Sequence, residues 1–167
     1  MTRSLIQGES VNLADTFAFT GTVSGLPSGG SAFCVRSDAS AWATIADGAI
    51  LIFDDDSSGD SFDTGSNFST STYKYTAPAT GVYLFWYSIY THYNDTSNAF
   101  SFLKNSAKVD FQRSSARLLS ADYGTDEHVQ TATIVIPLSS ADTMAVCGAL
   151  ASDYYRGHSQ WGGCRLA

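Results

Sequence analysis

The chain has 167 residues, 44% of them apolar and 15% charged, with a formal net charge of −7. This length suits one domain with a short appendage, and so apolar a composition does not describe a disordered chain. The acidic balance leaves no basic stripe to displace phosphate counterions, which excludes a nucleic-acid-binding face.

The first residues, Met1 to Glu9, lack the apolar run of a secretory signal, and no stretch is long and apolar enough to span a bilayer. The expectation is a chain that folds in a reducing cytoplasm and does not insert into membranes. Residues 1 to about 30 form an arm ending in Gly25-Leu-Pro-Ser-Gly-Gly30, a flexible connector by composition. Within the arm, Phe17, Phe19 and Val23 alternate with Ala18, Thr20 and Thr22. That is a one-sided strand pattern with too little mass for a core of its own, so Phe17 and Phe19 are its candidate anchoring residues.

From Ser31 onward, apolar runs alternate with turn clusters. Strands are expected over Ala32–Val35, Ala49–Phe53, Ser71–Thr76, Val82–Tyr90, Ala99–Leu103, Thr131–Leu138, Thr143–Leu150 and Gly163–Leu166. Gly/Asp/Ser clusters separate them, and no helical period intervenes, so residues 31–167 read as an all-β sandwich or jelly roll. One run is apolar on both faces: Gly81 to Tyr90 carries Val82, Leu84 and Trp86 on one side, and Tyr83, Phe85, Tyr87 and Ile89 on the other. A single sandwich core covers one of these faces, and the second needs another subunit. Tyr83, Phe85, Tyr87 and Ile89 are the candidate interface residues, with the Val82, Leu84 and Trp86 face as the alternative. By contrast, Thr131–Leu138 alternates cleanly.

Three segments in order, Ala32-Phe-Cys-Val-Arg36, Ile50-Leu-Ile-Phe-Asp54 and Tyr73-Lys-Tyr-Thr-Ala-Pro-Ala-Thr-Gly-Val-Tyr-Leu-Phe85, resemble the start and centre of the complement C1q-like globular domain, a relative of the tumour necrosis factor fold. Ile134 to Val146 is similar to that family's apolar hairpin, and Gln160 to Leu166 stands where the family has its closing strand. The resemblance covers residues 31–167 and implies a jelly roll of about ten antiparallel strands that forms a compact homotrimer. It departs from the family in having no Gly-X-Y collagen stalk and in carrying Gly-Cys-Arg in the closing strand. The family places the first and last strands side by side, which makes Cys34 and Cys164 a candidate disulfide; free thiols are the plainer reading in a reducing compartment. The arm from Val11 to Gly25 resembles segments of bacterial and marine virus virion proteins.

No catalytic residues and no cofactor are expected: His92, His128 and His158 are scattered, and no nucleophile or acid-pair pattern is present. Asp54, Asp55, Asp56, Asp60 and Asp63 crowd one loop, and Asp54, Asp56 and Asp60 are the candidate metal ligands. Their spacing matches no calcium-loop motif, so a solvated acidic turn is the plainer reading. Ser152 to Trp161 reads as a loop in which Tyr154, Tyr155, Arg156 and His158 combine flat rings with hydrogen-bond donors, the composition of a recognition surface. The alternative is that its aromatics pack beneath the loop or across the trimer.

The expected role is a non-enzymatic trimer on the outside of a bacterial virus particle, as a head fibre, decoration or tail-fibre knob. Its partners would be itself, other virion proteins such as capsid or tail, and a host surface glycan or protein. The alternative is a secreted cellular C1q-like recognition protein of innate-immune type, extracellular and carrying glycan on Asn67 or Asn94.

Overall fold

The computed structural model describes residues 30–57, 59–92, 98–109, 114–115 and 127–167. Phe17 and Phe19 of the arm therefore lie outside the described residues, as does Asn94. Thirteen strands are formed among the described residues: β1 (Ala32–Arg36), β2 (Trp42–Ile45), β3 (Phe62–Asp63), β4 (Phe68–Ser69), β5 (Lys74–Thr76), β6 (Gly81–His92), β7 (Ala99–Lys104), β8 (Ala107–Lys108), β9 (Ser114–Ser115), β10 (Glu127–Leu138), β11 (Thr143–Gly148), β12 (Ser152–Tyr155) and β13 (Gln160–Arg165).

One sheet runs in the order β10-β6-β13-β1-β3 and the other in the order β4-β5-β11-β7-β8, with β9 also on β7; β12 and β2 make a separate two-stranded ribbon. All pairs between these strands are antiparallel. Together they form a C1q/TNF-like jelly-roll sandwich, as the sequence implied.

Strand β6 is the spine of the first sheet, paired along its length with β10 and over six residues with β13. Its alternation settles which face is internal. Tyr83, Phe85, Tyr87 and Ile89 are fully buried within the single chain, while Val82 is exposed and Leu84 and Trp86 are half-buried. The assignment of Tyr83, Phe85, Tyr87 and Ile89 to a subunit interface is corrected: all four are buried in the core, where the aromatic rings pack against Tyr75 of β5 and Phe102 of β7 in the opposite sheet and against Trp161 of the neighbouring strand β13. The uncovered face is that of Val82, Leu84 and Trp86.

The core is unusually aromatic. Phe33 stacks on Tyr75 at 4.7 Å and meets Trp161 edge-on at 4.7 Å, each pair adding a directional term to area burial. Such close layering demands glycine in β13. A Cβ at Gly163 would overlap the Phe85 ring and stand 2.6 Å from the Leu84 carbonyl oxygen, and one at Gly162 would stand 2.5 Å from the Phe33 oxygen. The Gly-Cys-Arg departure in the closing strand is thus what lets that strand fit between β6 and β1.

Two expectations fail locally, and the candidate disulfide is not formed. Ala49–Phe53 forms no strand; it buries Leu51 and Phe53 and meets β11 through an isolated bridge, Ile50 to Cys147, with the Leu51 N–H donating to the Val146 oxygen and the Gly148 N–H to the Ala49 oxygen. Residues 42–45 and 152–155 form a ribbon where none was expected. Cys34 and Cys164 stand on adjacent strands but not opposite each other: Cys34 faces Gly162 and Cys164 faces Ala32, and both thiols are free. Such diagonal neighbours are about 7–8 Å apart, beyond the usual span of a disulfide.

Candidate functional site

The ribbon sets up a distinctive surface among the described residues. Its inward side chains are Ala43 and Ile45, packed against the core, and the buried Ser152 and Tyr154. Its outward ones are Trp42, Thr44, Asp153 and Tyr155, with Tyr155 directly opposite Trp42. Beyond β12 the chain makes a 3-10 turn over Arg156–His158 and enters β13 at Gln160. Gly157 keeps that turn close to the loop between β1 and β2, since a Cβ there would stand 3.2 Å from the Ser40 Cα.

Four rings converge as a result. Trp42 and Tyr155 have centroids 5.4 Å apart and 70° between planes, Tyr90 and Tyr155 6.1 Å and 73°, and Tyr90 and His158 5.2 Å and 86°. Tyr155 lies 4.8 Å from His158, and Trp42 6.0 Å from Tyr90. Trp42, Tyr90, Tyr155 and His158 line an open depression of about 280 Å³.

Buried hydrogen bonds hold this arrangement. The Ser159 hydroxyl donates to the Tyr155 carbonyl at 2.7 Å and accepts the Tyr90 N–H at 3.1 Å. Beneath the ribbon, Asn98 Nδ2 donates to Thr91 Oγ1 at 2.6 Å and its Oδ1 accepts the Asp153 N–H at 3.1 Å. Thr91 donates on to the Asp153 carbonyl, and Gln130 Nε2 reaches the Asn98 oxygen at 2.9 Å. A satisfied buried network of this kind fixes one strand relative to another, because breaking it strands polar groups away from water.

The four residues expected in a recognition loop separate. Tyr155 and His158 join the depression. Tyr154 is core, its hydroxyl accepting the Ile52 N–H at 3.0 Å, and burial pushes its phenol pKa up. Arg156 is turned to an ion pair with Asp54 at 2.7 Å. Trp42 and Tyr90, the other half of the site, were missed; the alternation of Trp42 and Thr44 with Ala43 and Ile45 was the available signal.

The acidic loop is engaged with its own protein. Partial burial works against the Asp54 carboxylate, but the Ser37 hydroxyl at 2.8 Å, the Asp38 N–H and Arg156 outweigh it and hold its pKa below the usual range. Asp55 is buried and paired with Arg36 at 3.1 Å, and Asp63 closes the next turn by accepting the Gly65 and Phe68 N–H groups. Asp56 is half-buried and Asp60 exposed. Among the described residues, Asp54, Asp56 and Asp60 are not gathered with other acidic, His or Cys side chains into a metal-holding group.

At the other end of β6, Ser31, Thr64, Gly65, Asn67, Pro78, Ala79 and Arg165 line a second depression of about 330 Å³. The described chain begins there, Gly30 lying beside the Arg165 carbonyl, and also ends there, the Ala167 carbonyl accepting the Val82 N–H at 2.9 Å. Tyr90 is nine residues along β6 from Gly81, about 30 Å at the rise of an antiparallel strand.

No protein-family model matches the chain, and no curated protein matches it in sequence. The fold has counterparts among solved structures. The globular domain of zebrafish complement 1qA protein superposes with a TM-score of 0.55 at 18% identity, covering 82% of this chain and 98% of that one. The Eiger TNF of S. frugiperda gives 0.57 at 15% identity, covering 83% and 93%, and murine APRIL 0.54 at 13%, covering 82% and 99%. The likeness is one of fold: a C1q/TNF jelly roll over residues beyond the arm.

Proposed function

We propose that the protein is a non-enzymatic homotrimer displayed on the outside of a virus particle, anchored by residues 1 to about 30 and presenting residues 31–167 to other molecules. The observation that carries self-association is the outward face of the β10-β6-β13-β1 sheet. Register aligns Val135, Leu84, Cys164 and Ala32 in one row across four strands, and Thr133, Trp86, Gly162 and Cys34 in the next. Val135 is 55% and Val82 38% exposed, and the Trp86 indole lies over Gly162. An apolar face of this breadth on a central sheet suits burial against copies of itself, which also closes the face to other partners.

Display is supported by polarity along β6. The chain enters the jelly roll at Gly30, and the aromatic depression lies at the far end of the strand. An arm fixed to a particle at the first end leaves the second facing outward. The virion setting rests on the arm's resemblance to virus structural proteins. A secreted glycoprotein fits less well at Asn67, whose Nδ2 donates to Ser31 Oγ at 2.8 Å within the second depression; a glycan there takes one of the two amide hydrogens and must fit into that depression.

The test is mass spectrometry and antibody labelling of purified particles, with the full chain and a chain lacking residues 1–28. The full chain is expected on particles, and the truncated chain is expected to stay a soluble trimer that no longer joins them. Truncated protein that still decorates particles places attachment on the jelly roll instead.

A further inference from the structure

The depression lined by Trp42, Tyr90, Tyr155 and His158 has the chemistry of a cation site, and we propose that it binds a quaternary or methylated ammonium group. This deepens the binding role proposed above, yet it is a property of the purified chain and does not depend on where the protein is displayed.

Three observations converge. First, three of the ring pairs meet at 70°, 73° and 86° and the other two, Trp42–Tyr90 and Tyr155–His158, at 37° and 50°, so the four faces turn in different directions and do not form a single flat platform. With centroids 4.8–6.1 Å apart, a cation resting over them lies within about 6 Å of several ring centroids, the range of cation–π attraction. Second, the charge beside the depression is negative. Asp153 shares the outward face of the ribbon with Tyr155, two residues away, and no described residue pairs with its carboxylate. The nearby cation, Arg156, is neutralised by Asp54 at 2.7 Å. Third, the site is held in advance of any ligand: Ser159 and the Asn98–Thr91 network fix Tyr90 against Tyr155, so little ordering remains to oppose binding. A neutral sugar fits less well, because the described lining residues, Trp42, Tyr90, Tyr155 and His158, include no carboxamide or guanidinium to read hydroxyl groups.

The experiment titrates the full-length protein with choline, with its uncharged isostere 3,3-dimethylbutan-1-ol and with methyl glucoside, reading tryptophan fluorescence and ligand saturation-transfer NMR. Choline is expected to bind saturably and at least tenfold more tightly than the alcohol. Trp42→Ala is expected to abolish the signal, Trp42→Phe to weaken it, and Asp153→Asn to weaken it several-fold at low salt. Melting curves establish that each variant is folded, and Trp42→Phe keeps the test valid if Trp42→Ala is not. Equal binding of choline and the alcohol overturns the proposal in favour of a plain apolar pocket. Binding of glucoside in place of choline overturns it in favour of a sugar site. Choline binding that survives both Trp42 variants, or no choline binding at all, overturns it outright; in the latter case, weaker self-association of Trp42→Ala would assign the rings to contact between copies. None of these outcomes bears on whether the protein is found on particles.

Discussion

Tyr90 and Tyr155 share a single hydroxyl: Ser159 Oγ accepts the N–H of the first at 3.1 Å and donates to the carbonyl of the second at 2.7 Å. The two tyrosines come from different sheets, and Ser159 is 1% exposed, so water cannot replace either bond. Ser159→Ala is expected to cost about 1–3 kcal/mol, the penalty for leaving buried backbone groups unpaired. Urea denaturation checks the magnitude, and near-ultraviolet circular dichroism checks that the four rings lose their fixed packing.

The two faces of β6 give opposite responses to charge. Phe85→Asp is expected to unfold the chain, because the carboxylate enters a core with no partner. Leu84→Asp with Trp86→Asp is expected to leave a folded monomer, because both positions reach solvent in the single chain. Circular dichroism together with light scattering separates these results.

That contrast shows where the sequence was legible. The clean alternation of Ile134, Ile136 and Leu138 with Thr131, Thr133 and Val135 matches the burial pattern of β10, and the Tyr73–Phe85 motif located the turn into β6. In β6 both faces are apolar, so periodicity could not say which was internal; only the partners Tyr75, Phe102 and Trp161, distant in sequence, decide it. The ribbon of Trp42–Ile45 and Ser152–Tyr155 was hidden for another reason. Its runs are short, and side-chain bonds from Thr91, Asn98 and Ser159 position it, none of which leaves a period in the sequence.

Gly163 is the tightest point of the closing strand. Gly163→Ala forces a methyl group into the Phe85 ring and toward the Leu84 carbonyl, and backbone cannot move aside cheaply. Overpacking of this kind is expected to cost about 1–3 kcal/mol or more, read as a lower denaturation midpoint with unchanged slope.

The β10–β11 hairpin carries a pH dependence. Hydrogen bonds from Asn105 and the Ser139 N–H, with Lys104 at 3.0 Å, hold the Asp142 carboxyl down at about 2. A carboxyl depressed by folding contributes its stability above the unfolded value near 4, and that contribution is lost as pH falls through about 2. Wild type is therefore expected to be more stable than Asp142→Asn at pH 6, with the difference shrinking between pH 4 and pH 2. Thermal melts across that range check it.

The central claim is that this jelly roll assembles through the outward β10-β6-β13-β1 face while the aromatic depression, at the end of β6 far from Gly30, stays free of that contact. Sedimentation equilibrium of the full chain at micromolar concentration tests it most directly. The account predicts a species of three chain masses for wild type and for Trp42→Phe, and a single chain mass for Leu84→Asp with Trp86→Asp. A wild-type monomer, or a trimer undisturbed by the two aspartates, would contradict it.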